Sequence, residues 1–511
     1  RKAALSDQIV LSRDQRHINK GKRTSTVCCP TEPQMAAQLY KTESGRLFHA
    51  GAIAIITVGL PARGKTHISR SLYRYLRWLG VQTKVFSVGN YRRQKLGSRS
   101  NSFFAPGNLS TAPQRVAIAE ECLKDMIKWL DGGGQVGIYD ASNTTEERRR
   151  WLQDILSQKN IQVDYFFELL EVEDGEESIC DKSEIIEANI RSVKISSPDY
   201  IGWDPEEAIK DFKGRIDAHQ PYYQTITDVR LSFLKLMNVG ERLIVNNVHG
   251  YLQSRIVYYL MNLHISPRTI YFARNGESLN ETYRADAELS EQGHCYAKNL
   301  KNYLLSYRER SRIVNPEEQA RPLTVWTSAR KRCFQTAMHF AEENVMIRQQ
   351  SVLTEINPGI CDGLTPEQIK VCNGCVIVIV GNCNYYTLHW YKAKFPEECQ
   401  RSLSDPYRYR FPRAESYHDL AIRIEACILE LEREKNDVLI IAHESVLRCL
   451  YAYLFDRPES EIPRIAIPQH YLIEIVPSAY GCKETRMEIL DVDENGGVLE
   501  ERVVDEEDEF L

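Results

Sequence analysis

Long apolar runs are missing from this chain. No stretch of about 18 apolar residues occurs in its 511, which excludes an ordinary membrane-spanning helix. No secretory leader stands at the start. The chain begins with Arg1 rather than Met, so its native start is expected upstream. A basic excess is absent too: a net charge of −5 offers no electrostatic footprint for nucleic acid or for an anionic membrane surface. The 14 cysteines form no even, disulfide-like framework, which points to a reducing compartment and predicts a cytoplasmic protein. What remains is a globular composition, 43% hydrophobic and 26% charged, long enough for two domains.

Against these absences stands one dense motif. Gly59-Leu60-Pro61-Ala62-Arg63-Gly64-Lys65-Thr66 fits G-x-x-x-x-G-K-[ST] and directly follows the apolar run Ile53–Val58. That order predicts a buried strand, a glycine-rich turn, and a helix over His67–Gly80 opening at Lys65-Thr66. Glycines let backbone N–H groups close around phosphates, and a helix N-terminus adds positive potential. Lys65 would reach the β/γ-phosphates and the Thr66 hydroxyl would ligand Mg²⁺. The chain is therefore expected to bind a nucleoside triphosphate, ATP, with Mg²⁺.

From Ala50 onward short apolar strands alternate with helical segments, the pattern of an α/β fold with a parallel sheet. A strand over Gln82–Phe86 leads to Val88-Gly89-Asn90-Tyr91-Arg92-Arg93, read as an anion-binding loop. Another over Val136–Tyr139 ends in Asp140-Ala141-Ser142-Asn143-Thr144-Thr145, where the last three residues resemble a helix start. Asp140 is placed to hold Mg²⁺ or to accept the proton of an attacking hydroxyl. A helix over Ser254–Leu263 closes this half and Pro267 marks its end. The rhythm then restarts, with strands over Thr269–Ala273, Leu323–Trp326 and Val438–Ala442 ending at Arg274, Thr327-Ser328 and His443. Charged groups at the carboxyl ends of parallel strands are where α/β proteins place their sites, so each half carries a candidate site. Val371–Gly381 interrupts the pattern with a strongly β-prone run. It is either an inserted strand or translated, unspliced sequence, and its Cys-x-x-Cys lacks a second ligand pair for zinc.

The strings Gly59–Thr66, Val88–Arg93 and Asp140–Thr145 combine with Val193-Lys194-Ile195-Ser196-Ser197-Pro198-Asp199-Tyr200 and Gln253–Asn262. Together they resemble the bifunctional 6-phosphofructo-2-kinase/fructose-2,6-bisphosphatase family over about Gly51–Tyr480. The resemblance implies an N-terminal P-loop kinase domain that moves the ATP γ-phosphate to the 2-hydroxyl of fructose 6-phosphate. A C-terminal α/β histidine-phosphatase-like domain would follow. It implies nucleotide contacts along Gly59–His67 and Asn189–Lys194. Sugar-phosphate contacts would come from Arg92, Arg115, Ser142 (a threonine in the usual motif), Arg148, Lys194 and Arg215. Asp140 matches the active-site aspartate, Lys65 and Lys194 match catalytic lysines, and Cys180 an active-region cysteine. His219 replaces a tyrosine; imidazole can still donate a hydrogen bond to the sugar phosphate, so sugar binding is expected to be weaker at most, not lost. The implied organisation is a disordered arm over 1–47, a kinase domain over 48–266, a phosphatase-like domain over 267–482 with an insert at about 371–392, and an acidic tail over 483–511. A homodimer is implied by the family alone. Lys22-Arg23-Thr24-Ser25 resembles the target of a regulatory protein kinase.

The second site departs from its pattern. Arg274-Asn275-Gly276-Glu277 stands where Arg-His-Gly-Glu is required. The histidine is the nucleophile, and a carboxamide nitrogen has no available lone pair to take its place. Arg332, Glu355, Tyr417, His443 and Arg448 match the pattern. Tyr283-Arg284-Ala285-Asp286-Ala287, Pro366, Ser402, Pro406 and Glu444 do not, and Asp286 puts an acid near a bisphosphate. The expected function is synthesis of fructose 2,6-bisphosphate with the phosphatase domain inactive. Two alternatives stand beside it: a still bifunctional enzyme with residual hydrolysis, and a non-catalytic pseudoenzyme that senses metabolites.

Overall fold

A computed structural model describes residues 51–489 except 62, 98–100, 105–107, 109, 171–198, 201–202, 238–241, 264–266, 280–285, 315–320, 358, 360–400, 402–403, 411–412 and 479–480. The arm with its Lys22–Ser25 string, the apolar run Val371–Gly381 and the acidic run Asp505–Glu509 lie outside the described residues, as does the rest of the insert expected at 371–392.

The first half is a six-stranded sheet. Its strands are β1 (Ile53–Val58), β2 (Thr83–Ser87), β3 (Val136–Asp140), β4 (Gln162–Leu170), β5 (Phe233–Met237) and β6 (Arg242–Asn246), in the order β2-β3-β1-β4-β5-β6. All neighbours are parallel except β5 and β6. β1 is buried along its whole length because it lies at the centre with helices on both faces, which is why it reads as a continuous apolar run. Its helices are α1 (Lys65–Trp78), α2 (Val88–Leu96), α3 (Ala112–Asp131), α4 (Glu146–Gln158), α5 (Pro205–His219) and α6 (Tyr251–Asn262). α4 starts as expected from its cap, with the Thr145 side chain accepting from the Arg148 backbone N–H.

The second half comprises β7 (Ile270–Arg274), β8 (Leu323–Ser328), β9 (Met346–Gln350), β10 (Asp437–Ala442), β11 (Tyr471–Ser478) and β12 (Gly481–Glu488), ordered β12-β11-β7-β10-β8-β9. β7, β10, β8 and β9 run parallel, while β11 and β12 are antiparallel additions. Its helices are α7 (Glu291–Val314), α8 (Lys331–Met338), α9 (Tyr417–Arg423), α10 (Glu425–Arg433) and α11 (Glu444–Leu454). Among the described residues, no helix is long and apolar enough to cross a membrane.

Two expectations need correction. Tyr91-Arg92-Arg93 lies inside helix α2, not in a loop. Gly89 and a nearly all-polar sequence hide the helical period, and the helix is held by tertiary contacts such as the Tyr91 hydroxyl donating to Asp125 at 2.8 Å. β12 runs across the boundary expected at 482/483. It pairs with β11 from Ser478↔Gly481 to Tyr471↔Glu488, although its sequence is charged and shows no apolar alternation.

The halves are joined by buried packing as well as by the chain. α1 opens at the P-loop, and its far end, Trp78, sits in the core of the second half with its ring edge-on to Tyr453 at 5.7 Å. Glu432 of α10 is 3% exposed and accepts from Arg74 of α1 at 2.7 Å, from Arg268 at 3.1 Å and from the Tyr453 hydroxyl at 2.6 Å. The charges of Arg74 and Arg268 outweigh burial and hold its carboxyl down at about 2. Arg77 pairs with Asp456 at 3.0 Å beside it.

Candidate active sites

The P-loop is built by the ends of β1 and β3. Gly59 N–H donates to the Ser142 carbonyl at 3.0 Å, Thr57 Oγ1 to the Ala141 carbonyl at 2.7 Å, and Asn143 Nδ2 to the Thr57 carbonyl at 2.8 Å. This stitching fixes Asp140 and Ser142 next to the loop. Gly64 caps α1 with φ 78°, a left-handed conformation that a glycine adopts without strain. The Lys65 ammonium is enclosed by the loop and donates to the carbonyls of Gly59, at 2.9 Å, and Leu60. Thr66 Oγ1 donates to Asp140 Oδ2 at 3.1 Å. Two hard oxygen donors at the mouth of a phosphate loop suit Mg²⁺, which takes few protein ligands and fills its shell with water and phosphate oxygens.

Beside the loop lies a cavity of about 280 Å³. Pro61, Arg63, Gly64, Lys65, Thr66 and His67 line one side with Asp140 and Ser142. Arg92, Arg93, Arg115, Arg215 and His219 line the other, from α2, α3 and α5. Residues more than 150 positions apart in the chain thus line one cavity. Arg148 does not line it: its guanidinium donates to the Tyr139 hydroxyl at 3.1 Å and lies over Trp151 at 4.1 Å. Ala62, Cys180, Asn189 and Lys194 fall outside the described residues.

The organising group in this cavity is Asp199, which the sequence showed only as part of a motif. Arg92 Nη2 lies 2.7 Å from both of its oxygens, Arg93 at 3.3 Å and Arg215 at 3.8 Å. Burial alone would push this carboxyl up, but the Arg92 hydrogen bond and the three guanidinium charges hold it below the usual range. Phe104 supplies a face on which Arg215 stacks at 3.6 Å and Arg92 at 4.9 Å. One carboxylate thus gathers three arginines and leaves the cavity strongly cationic, as phosphoryl transfer requires.

His219 corrects an expectation. Its Nδ1 lies 2.8 Å from the Arg215 carbonyl, and a carbonyl only accepts, so Nδ1 carries the hydrogen. Burial lowers its pKa; the Arg215 carbonyl opposes this, and the charges of Lys65, Arg115 and Arg215 add to the lowering. The neutral ring then presents Nε2 as an acceptor. In this state it does not donate to a phosphate.

The second centre gathers at the carboxyl ends of β7, β8 and β10. Arg332 Nη2 pairs with Glu355 and lies 3.2 Å from His443 Nδ1, which is 3.7 Å from Glu355 Oε2. His443 Nε2 faces Ser328 Oγ at 3.2 Å and Cys333 Sγ at 3.3 Å. Burial drives the His443 pKa down to about 4, so its ring is neutral. Tyr417 accepts from Arg448 Nη1 at 2.9 Å. Asn275 turns its amide inward, with Nδ2 donating to the Gly276 carbonyl at 2.8 Å and Oδ1 3.7 Å from Cys333 Sγ. Cys333, unnoticed in the sequence, gives no substitute nucleophile because full burial pushes its thiol pKa far up. Asp286 accepts from the Lys331 backbone N–H at 2.8 Å, at the start of α8. Pro406 lies in a turn, whereas Tyr283, Arg284, Ala285, Pro366 and Ser402 fall outside the described residues.

Comparison with known proteins gives two family matches: 6-phosphofructo-2-kinase over residues 40–267, and the histidine phosphatase superfamily (branch 1) over 270–372 and 379–489. The gap between the last two segments falls inside the apolar run Val371–Gly381. The chain is 41% identical over 437 residues to a 6-phosphofructo-2-kinase/fructose-2,6-bisphosphatase of Aquarana catesbeiana, covering 84% of this chain and 83% of that one. It is 40% identical to 6-phosphofructo-2-kinase/fructose-2,6-bisphosphatase 1 of Homo sapiens, with the same coverage. A Caenorhabditis elegans relative of the same name is 38% identical over 84% of this chain and 88% of its own.

Proposed function

The chain belongs to the 6-phosphofructo-2-kinase/fructose-2,6-bisphosphatase family, and we propose that it makes fructose 2,6-bisphosphate from ATP and fructose 6-phosphate without hydrolysing it. The observation that carries this reading is the single cavity where Lys65, Thr66 and Asp140 meet Arg92, Arg115 and Arg215. In this reading the P-loop amides and Lys65 hold the triphosphate while the arginines hold the sugar phosphate. The sugar 2-hydroxyl oxygen attacks the γ-phosphorus, the bond to the β,γ-bridging oxygen breaks, and the hydroxyl proton passes to Asp140. Thr66 and Asp140 would hold Mg²⁺, which neutralises charge on the phosphate oxygens. Asp140 has two carboxylate oxygens and would serve as ion ligand and as proton acceptor.

Silence of the second centre follows from the carboxamide of Asn275, which cannot carry a phosphoryl group. A residual hydrolase is favoured only by the intact cluster of Arg332, Glu355 and His443. The test follows fructose 2,6-bisphosphate in purified protein supplied with MgATP and fructose 6-phosphate, continuing after ATP is exhausted. Product that rises and then holds flat is expected. A decay after exhaustion would overturn the silent-phosphatase reading. No product at all would favour a metabolite-sensing pseudoenzyme. Lys65→Met should lower kcat by roughly 10²–10³-fold, as loss of one preorganised charge donor does.

A further inference from the structure

The arginines of the second centre are preformed, and an acid already sits among them. Glu444, the first residue of α11, places Oε1 2.5 Å from Arg448 Nη2 one turn further on and Oε2 3.4 Å from Arg274 Nη1 at the end of β7. The two arginines come from different elements, so this one carboxylate bridges them as a phosphate oxygen pair would. Other contacts hold both in place without it. Arg448 donates Nε to the Ile465 carbonyl at 2.8 Å and Nη1 to Tyr417, and Arg274 donates to the Ile467 carbonyl at 3.1 Å. The third arginine, Arg332, is matched by Glu355.

We propose that Glu444 is the specificity-determining residue of the second centre, a resident anion that closes the Arg274–Arg448 pair to phosphate and phosphate esters. An incoming phosphate dianion must displace a carboxylate tethered to the same helix as Arg448, or share the arginines with it at close range. Tethering gives Glu444 a high effective concentration, and like charges crowded into one site repel strongly. This closure is separate from the loss of the nucleophile. Asn275 removes the group that would react, whereas Glu444 removes the ligand that would reach it. A glutamine at 444 keeps the side-chain shape, drops the charge and leaves both arginines anchored.

The experiment titrates full-length protein with inorganic phosphate by calorimetry, comparing wild type, Glu444→Gln and Glu444→Gln/Arg448→Met, with thermal unfolding to confirm folding. Phosphate bound by the kinase cavity is common to all three. Glu444→Gln should gain a phosphate site at least about tenfold tighter than any weak second site of wild type, a difference of about 1.4 kcal/mol. The double variant should lose that gain, which locates it at the ring. Identical titrations for wild type and Glu444→Gln would overturn the proposal, as would a gain that survives Arg448→Met. The silent-phosphatase reading is judged separately. Phosphate binding by Glu444→Gln without loss of fructose 2,6-bisphosphate leaves it standing, and a wild-type decay sinks it whatever the titration shows.

Discussion

Both halves of this molecule assemble arginines at the carboxyl ends of parallel strands, yet they balance the charge in opposite ways. In the kinase cavity, Arg92, Arg93 and Arg215 gather on Asp199, and Arg215 also reaches Asp211 at 3.7 Å, but Arg63, Lys65 and Arg115 line the same space, so cationic charge is left over. In the second centre, Arg274 and Arg448 are bridged by Glu444 and Arg332 is met by Glu355. An inventory of phosphate-binding residue types would rate the two sites alike. What separates them is the ratio of cations to acids, since six cationic residues line the first cavity against Asp140 and Asp199, and hence the charge a ligand would find.

The second half, proposed to be chemically silent, is structurally engaged with the first, and the largest effect is expected at the seam. Glu432→Ala leaves Arg74 and Arg268 buried without their carboxylate. It should cost about 3–5 kcal/mol, read as an earlier unfolding midpoint and an earlier loss of kinase activity together. Kinase activity that persists while the second half melts would show the halves to be independent. A smaller effect, on the order of a few kcal/mol, is expected from acid. The His443 pKa is held at about 4 against 6.5 in the unfolded chain. Between those values the unfolded chain binds a proton that the native centre refuses. The stabilisation is therefore complete above pH 6.5 and declines as pH falls towards 4. Urea unfolding across this window should show the decline, and His443→Asn should flatten it. An unchanged slope in the variant would place the acid sensitivity elsewhere. The smallest expected effect lies in the kinase cavity. His219→Tyr puts a hydroxyl donor where a neutral imidazole offers an acceptor. The KM for fructose 6-phosphate should fall a few-fold with kcat nearly unchanged, about 1 kcal/mol for one hydrogen bond. A rise in KM would mean that the imidazole acceptor serves a sugar hydroxyl better than a phenol serves the phosphate.

Legibility followed periodicity and local chemistry. β1, the P-loop and α1 were readable because an apolar run, two glycines and Lys65-Thr66 occur within fourteen consecutive residues. The ends of β3, β7 and β10 were found for the same reason, each an apolar strand stopping at a charged or polar residue. Helix α2 and strand β12 were not, because their sequences lack an apolar period and their conformations rest on contacts with distant segments. Arg148 shows the reverse failure: its motif position suggested the cavity, but packing against Trp151 and Tyr139 holds it elsewhere.

The sequence by itself determined the two α/β halves, the glycine-rich loop Gly59–Thr66, and an asparagine where the phosphatase pattern carries histidine, since each depends on residue type and short-range order. Only the tertiary structure decided the charge balance at the two sites, the tautomer of His219, and the burial of the P-loop helix's far end in the second half. Those properties depend on distances between groups far apart in the chain. Coulomb and hydrogen-bond energies change steeply with such distances, and spacing along the sequence does not encode them.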